Sequence, residues 1–156
     1  MDVSKFTQKQ LSTLRKVFHT LNHFMVFMWK IGWGKMMNFW PAVIGRIMVI
    51  KHRGRKSGKE YFTPVNYAIV DSEIYCTAGF GSISDWYRNM QANPNIELWL
   101  PEGKRKAQAK DVSDAQNRLL LLRQVIIASG FAAPLFGINP KKLSDEELDA
   151  VSKDYR

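Results

Sequence analysis

The chain has 156 residues, 46% of them hydrophobic, which is enough for one domain with a single core. Its one cysteine, Cys76, excludes an intrachain disulfide framework and fits a reducing compartment. Residues 1–60 hold 12 Lys/Arg against 2 Asp/Glu, whereas residues 61–156 hold 11 Lys/Arg against 12 Asp/Glu. The basic first part predicts an anionic partner. Nucleic acid is not expected, because no helix-turn-helix, zinc or RNP-type pattern accompanies the charge.

The first part of the chain, residues 5–30, is predicted to be a helix. His19 and His23 would share one face of it, but no third ligand is evident, so we expect an ordinary helix surface and no metal site. We find no signal peptide, because the first apolar run starts after residue 20 and lacks a small-residue cleavage site. The apolar positions at helical spacing are Leu11, Leu14, Val17, Phe18, Leu21, Met25 and Met28.

Residues 24–50 are rich in methionine and tryptophan. Lys30, Lys35 and Pro41 interrupt this segment, so it lacks the run of about 20 apolar residues that a membrane span needs. Two interpretations remain open. The segment covers the core, with methionine filling irregular gaps, or it lies at a membrane interface or lines a pocket for a lipid-like molecule.

Three strands are predicted next, over 46–52, 60–70 and 73–78. The basic turn, Lys51 to Lys59, joins the first two, and Asp71-Ser72 joins the second to the third. Pro64 lacks an N–H, so the second strand is expected to be an edge or bulged at this residue.

Two segments have the composition of anion sites. The basic turn combines Arg53, Arg55, Lys56 and Lys59 with two glycines, which let the backbone approach a ligand closely. Gly79 to Gly81 precede a helix start at Ser84 and are expected to offer free backbone N–H groups. Together they suggest a cofactor cradle; the alternative for the turn is a solvated hairpin loop. Neither segment has the spacing of a Walker loop or of a dinucleotide fingerprint.

The remaining elements follow from local signals. A helix is predicted from Ser84 to Asn93-Pro94, a hairpin over 95–100 and 104–112, and a long helix over 114–129. A capping box at Ser144 to Glu147 opens a short terminal helix. The apolar loop 131–140 is expected to close over the substrate.

The ordered motifs in this chain resemble those of the deazaflavin-dependent nitroreductase family, whose members use reduced coenzyme F420 as hydride donor. They are Gly54-Arg55-Lys56-Ser57-Gly58, Thr63-Pro64-Val65-Asn66-Tyr67, Ala78-Gly79, and residues 85–94, DWYRNMQANP. The resemblance implies an α+β protein with a split β-barrel, FMN-binding-like and predominantly antiparallel, an N-terminal helix and peripheral helices. We expect one domain: a helical apolar segment at 1–45, the barrel with the cofactor site at 46–112 and a helical part at 113–156.

The resemblance also implies a set of cofactor-binding residues. Arg55, Lys56 and Ser57 would hold the phosphate, and Arg53 and Lys59 the acidic tail. Tyr67 is the one candidate proton donor, with a core tyrosine as the alternative. The other implied cofactor residues are Pro64, Val65 and Asn66 along the ring system, Thr77, Ala78, Gly79, Phe80 and Gly81 in the second cradle, and Trp86 as a wall.

The expected function is F420-dependent hydride transfer to a quinone, a nitroaromatic compound or another apolar acceptor. Two alternatives stay open: an FMN-binding oxidoreductase on the same fold, and a non-catalytic protein that binds a fatty acid, another lipid or a cofactor at the membrane, since the N-terminal segment looks like a lipid-associated branch of the superfamily. We expect a cytoplasmic protein, either free or peripheral on the inner face of the membrane, and either a monomer or a homodimer.

Overall fold

The computed structural model describes residues 20–38, 45–130, 139 and 142–156. Residues 20–30 are helical (α1). The other helices are α2 (Gly34–Met37), α3 (Asp85–Ala92), α4 (Arg118–Ala128) and α5 (Asp145–Ser152), and a short 3-10 helix spans Gly81–Ile83. The strands are β1 (Ile47–Arg53), β2 (Glu60–Val70), β3 (Glu73–Cys76), β4 (Asn95–Leu100) and β5 (Gly103–Gln108).

The five strands form one antiparallel sheet in the order β3-β2-β1-β4-β5. One cavity is lined from both outer strands, β3 and β5, as expected of a sheet that curls into a half-barrel. The predicted α+β class with a predominantly antiparallel split-barrel sheet is therefore confirmed.

The two faces of the sheet carry different cores, because side chains alternate along each strand. The inner face packs Met48, Ile50 and Leu98 against Trp86 and Met90 of α3. The outer face packs Val49 and Trp99 against Trp29 of α1. A third cluster joins α4 to α5 through Leu122, Ile126, Leu148 and Tyr155.

Strand pairing explains why a proline is tolerated in β2. Residues 60–66 pair with β1 only, whereas residues 67–70 pair with β3. Pro64 thus lies where the strand has one neighbour, and the predicted edge is confirmed. Asp71 and Ser72 both have positive φ, 50° and 67°, as a tight turn between strands requires.

Most predicted bounds agree with the structure, and some differ. β2 has the predicted ends, and the capping box at Ser144 is formed. β3 and β5 are shorter than predicted. α4 begins at Arg118 instead of Asp114, because residues 112–118 form two successive turns, in which Ala115 N donates to Val112 O and Arg118 N donates to Ala115 O. Ser84 occupies the N-cap of α3, but its side chain makes no capping hydrogen bond.

Several predictions fall on residues outside the described ranges: the helix before residue 20, His19, and all of the loop 131–140 except Asn139. Of the helices in the described ranges, none is long and apolar enough to cross a membrane.

Candidate functional site

The basic turn is a tight hairpin loop between β1 and β2. Gly54 N donates to Lys59 O at 2.9 Å, and Gly58 N donates to Gly54 O at 2.8 Å. Gly58 has a φ of 64°, in the region that favours glycine. A Cβ on Gly54 would meet the Tyr61 ring at 2.6 Å. Both glycines are therefore required by the loop geometry itself.

Arg55 fastens this turn to α3. Its backbone N donates to Asn89 Oδ1 at 3.1 Å, and its Nη1 donates to the same oxygen at 2.9 Å. Its Nη2 forms an ion pair with Asp85 at 3.0 Å. The guanidinium that we expected to grip a phosphate is thus held by two α3 side chains. Lys56 and Ser57 take no part in these contacts with α3 and are exposed.

A buried polar network continues from Asn89 beneath the turn. Asn89 Nδ2 lies 3.4 Å from His52 Nδ1, and His52 Nε2 lies 3.0 Å from Thr63 Oγ1. His52 is 3% exposed, and its ring stacks on Tyr61 with the centroids 5.9 Å apart. Burial lowers the pKa of His52 below its usual value, because the charged imidazolium loses its hydration.

A cavity of about 750 Å³ opens beside this network; we call it the basic-turn cavity. This volume lies within the range of small-molecule sites, about 300–1,000 Å³. Cations on its walls outnumber carboxylates, and Trp86 supplies an aromatic wall. The lining residues are Asn22, His23, Val26 and Lys30 of α1, His52, Gly54, Arg55, Lys56 and Ser57 of β1 and the turn, Glu60, Tyr61, Phe62 and Thr63 of β2, and Asp85, Trp86 and Asn89 of α3.

The open edge of β2 leads away from this cavity. Pro64 pairs with Val49 in the register and has no N–H, so this is a non-hydrogen-bonded pair of the antiparallel ladder. The carbonyl of Pro64 and the backbone groups of Asn66 consequently point away from β1, on the side that β3 leaves uncovered. The Asn66 side chain donates to Arg46 O at 3.2 Å, and Val65 packs into the inner core.

The predicted cradle at 77–81 is occupied by the end of the chain. Ala78 N donates to Arg156 O, Arg156 N donates to Ala78 O, and Thr77 Oγ1 donates to Arg156 O at 3.1 Å. Gly81 N donates to Ala78 O, and a Cβ on Gly81 would overlap Asp154 O. The expectation of free N–H groups is therefore wrong for Gly81, whose N–H is taken by Ala78 O within the turn, and residues 154–156 fold back onto the same segment. Gly79 and Phe80 are exposed.

A second cavity, of about 640 Å³, lies inside the half-barrel; we call it the inner cavity. Its floor includes Met48, Ile50 and Leu98, and its rim includes Lys106 and Lys110. Trp86 lines both cavities, and Thr77 lines the inner one. Of the predicted cofactor residues, Arg55, Lys56 and Ser57 of the basic turn thus line one cavity together with Trp86, and Thr77 lines the other.

Tyr67 lies in the inner core. It is 4% exposed and packs with Met48, Ile50 and Leu98. Its pKa is raised, chiefly because burial disfavours the phenolate and also because Glu102 repels it. The structure therefore supports the alternative of a core tyrosine. Arg53 and Lys59 are exposed at the two ends of the turn, outside the cavity wall.

Sequence reasoning gave no role to His52, Thr63 or Asn89, which form the network beneath the turn. One signal was present for the first two. A hairpin closed by the basic turn places His52 opposite Tyr61, so Thr63, two residues further on, lies on the same face. Nothing local indicated Asn89, which is 37 residues from His52 and meets it only through tertiary packing.

Two solved structures are similar to this chain at low identity. A conserved hypothetical protein from Mycobacterium tuberculosis is 18% identical, with a TM-score of 0.48 over 76% of this chain and 71% of the other. A heme binding protein from Mycobacterium smegmatis is 11% identical, with a TM-score of 0.47 over 72% and 48%. Both scores lie below 0.5, so the fold is taken from the strand order of this protein.

Sequence comparison is more informative. A Mycobacterium tuberculosis protein, provisionally described as an F420H(2)-dependent quinone reductase, is 28% identical over 81 residues, which cover 50% of this chain and 68% of the relative. The family model for F420H(2)-dependent quinone reductases matches residues 31–133, which is 103 of the 156 residues and includes the whole sheet, the basic turn and α3. The chain belongs to the F420H(2)-dependent quinone reductase family.

Proposed function

We propose that the protein transfers a hydride from reduced F420 to a quinone-type acceptor, with the cofactor bound in the basic-turn cavity. Membership of the F420H(2)-dependent quinone reductase family identifies the cofactor and the class of acceptor. The location of the site rests on one observation: Lys56, Ser57 and Trp86 meet around a cavity of about 750 Å³.

The residues of the turn suit a phosphate. Lys56 and Ser57 are exposed at the cavity, and an ammonium and a hydroxyl both donate hydrogen bonds to phosphate oxygens. Arg55 holds the turn against α3 and adds positive charge, but its guanidinium already donates hydrogen bonds to Asp85 and Asn89. We therefore assign direct phosphate contact to Lys56 and Ser57, and a supporting role to Arg55.

The rest of the cofactor is proposed to follow the open edge of β2. Trp86 would form one wall, and the outward backbone groups at Pro64 and Asn66 would bind the polar edge of the ring system. Reduced F420 supplies the hydride, so the chain has to bind, orient and shield it. In this arrangement Val65 faces the inner core and supports the strand from behind.

Titration of the purified protein with F420, followed by Trp or cofactor fluorescence, tests the site. Lys56→Ala is expected to raise the Kd about tenfold, because a charge-assisted contact to phosphate is lost. Lys106→Ala is the matched control, since it removes the same charge from the rim of the inner cavity. Equal weakening in both variants, or weakening in Lys106→Ala alone, would place the cofactor elsewhere.

Flavin mononucleotide is titrated in parallel, because it also carries a phosphate but has no oligoglutamate tail. Tighter binding of flavin mononucleotide than of F420 would contradict the proposal. Binding of neither would favour a protein without a redox cofactor.

A second feature favours attachment to a membrane surface, where quinones are dissolved. Leu21, Phe24, Phe27 and Ile31 recur at helical spacing along and just beyond α1, and Trp33 and Met36 follow; these six side chains are 47–61% exposed. Such a patch marks an interaction site, and the excess of positive charge in residues 1–60 favours an anionic surface. We infer that this face binds anionic lipid bilayers peripherally.

Co-sedimentation with vesicles tests this inference. Phe24→Asp combined with Phe27→Asp is expected to abolish binding to anionic vesicles. Leu120→Asp is the control, because Leu120 is 55% exposed on α4. Absence of wild-type binding to anionic vesicles would refute the membrane role and leave the reductase proposal untouched.

A further inference from the structure

The polar network beneath the basic turn has a defined direction. Arg55 presents a backbone N–H and a guanidinium N–H to Asn89 Oδ1, at 3.1 and 2.9 Å. Both groups are donors only, so the atom that faces them is the carbonyl oxygen of the Asn89 amide. The NH₂ group of Asn89 therefore faces His52.

This orientation fixes the tautomer of His52. The NH₂ group of Asn89 can only donate, so His52 Nδ1, 3.4 Å away, accepts from it. A neutral imidazole that accepts at Nδ1 carries its proton on Nε2. His52 Nε2 then donates to Thr63 Oγ1 across 3.0 Å. Burial of the ring lowers its pKa, which favours this neutral form.

The consequence appears at Thr63. Its hydroxyl has one hydrogen and two lone pairs, and it accepts from His52, so the hydrogen is left to be donated elsewhere. Thr63 lines the basic-turn cavity. It also lies on the part of β2 that pairs with β1 alone, close to the outward carbonyl of Pro64.

We propose that Thr63 is a ligand-binding residue whose hydroxyl donates a hydrogen bond to a carbonyl oxygen of the deazaflavin ring, and that His52 and Asn89 are positioning residues that hold this hydroxyl as a donor. The inference rests on the proposed function, because the ligand is the cofactor proposed for this cavity. It adds that the Thr63 hydroxyl favours a hydrogen-bond acceptor of the ligand beside it and disfavours a donor.

We call the hydrogen-bond chain from Asn89 through His52 to Thr63 the relay. It is tested first without any cofactor. Nitrogen-15 NMR of histidine-labelled protein, with the His52 signals identified by their loss in His52→Gln, is expected to show a protonated Nε2 and an unprotonated Nδ1. Asn89→Ala removes the donor to Nδ1, so the two tautomers are expected to mix. A proton on Nδ1 in the wild type would overturn the relay, whatever the protein binds.

The ligand contact is tested by two substitutions at Thr63. Thr63→Val keeps the shape and removes the hydroxyl, and Thr63→Ser keeps the hydroxyl. We expect Thr63→Val to raise the Kd for F420 about fivefold, the effect of one neutral hydrogen bond, and Thr63→Ser to change it less than about twofold. Equal affinity of Thr63→Val and the wild type would overturn the contact.

A phosphate-free ligand separates ring recognition from phosphate recognition. The deazaflavin nucleoside, which lacks the phosphate and the glutamates, is expected to lose the same factor in Thr63→Val. Loss with F420 but not with the nucleoside would overturn contact with the ring and place Thr63 at the phosphate.

A double-mutant cycle tests the positioning roles. Adding His52→Gln to Thr63→Val is expected to weaken binding little further, because His52 acts through Thr63; full additivity would overturn its role. Wild-type protein that binds neither ligand would overturn the proposed function and the Thr63 contact together. The wrong tautomer with intact binding would overturn the relay alone.

Discussion

Replacing Asn89 by alanine should destabilise the protein far more than replacing Gln91, two residues further along α3, by alanine. Asn89 is 6% exposed, and it bonds the backbone N and Nη1 of Arg55 and the ring of His52. Gln91 is an exposed amide on the same helix that bonds Asp111. Both exchanges introduce alanine into α3, so each gains helix propensity, by at most about 0.7 kcal/mol and by less for Gln91 than for Asn89.

The loss at Asn89 exceeds this gain. A donor left without an acceptor costs up to about 1–3 kcal/mol when it is buried, and in Asn89→Ala the partly buried N–H of Arg55 loses its acceptor. We expect a net loss of about 2 kcal/mol in the free energy of unfolding, which corresponds to a Tm about 4–8 °C lower for a chain of this size. Gln91→Ala should stay within about 0.5 kcal/mol of the wild type.

Thermal and urea unfolding followed by circular dichroism measures both variants. The urea midpoint of Asn89→Ala should fall with an unchanged m value, since the same surface is exposed on unfolding. Equal Tm values for the two variants would refute the reasoning and show that the turn is held to α3 without Asn89.

Three further predictions concern other residues. Burial lowers the pKa of His52, so below pH 6.5 the unfolded chain binds more protons at this residue than the folded protein does. The free energy of unfolding should therefore fall by up to about 1.4 kcal/mol per pH unit as the pH drops below 6.5. His52→Gln should flatten this slope, as measured by urea titrations at several pH values. Burial raises the pKa of Cys76 to about 12, so at pH 8 a much smaller fraction of the thiol is ionised than after unfolding, and its reaction with a disulfide reagent should be at least about tenfold slower. Gly34→Ala should cost about 1–3 kcal/mol in chemical denaturation, because the new Cβ overlaps the Trp29 ring; an unchanged midpoint would contradict the packing of α2 on α1.

Much of the fold could be predicted because its signals are local. β2 begins at Glu60, just after the glycine-containing basic turn, and ends at Val70, before Asp71-Ser72. α3 ends before Asn93-Pro94. Each of these limits follows from a few adjacent residues. The edge at Pro64 follows from its missing N–H.

Most of the contacts that the sequence did not indicate join residues far apart in the chain. Residues 77–81 have the composition of an anion cradle, but Arg156, 78 residues after Ala78, takes up the hydrogen-bonding groups of Ala78. Arg55, which is predicted from the sequence to bind phosphate, also bonds Asp85 and Asn89, and only the packing of α3 provides these contacts. The composition of a loop indicates which groups it can offer, and only tertiary packing decides which of them remain free.

Oxidation of reduced F420 by a water-soluble quinone is the most direct test of the central claim. We expect quinone-dependent appearance of oxidised F420 with the wild type. Lys56→Ala should raise the KM for reduced F420 about tenfold with little change in kcat, because Lys56 is proposed to bind the phosphate and not the reacting atoms. Lys106→Ala should behave as the wild type. An absence of quinone-dependent oxidation, or equal kinetics for Lys56→Ala and the wild type, would contradict the account.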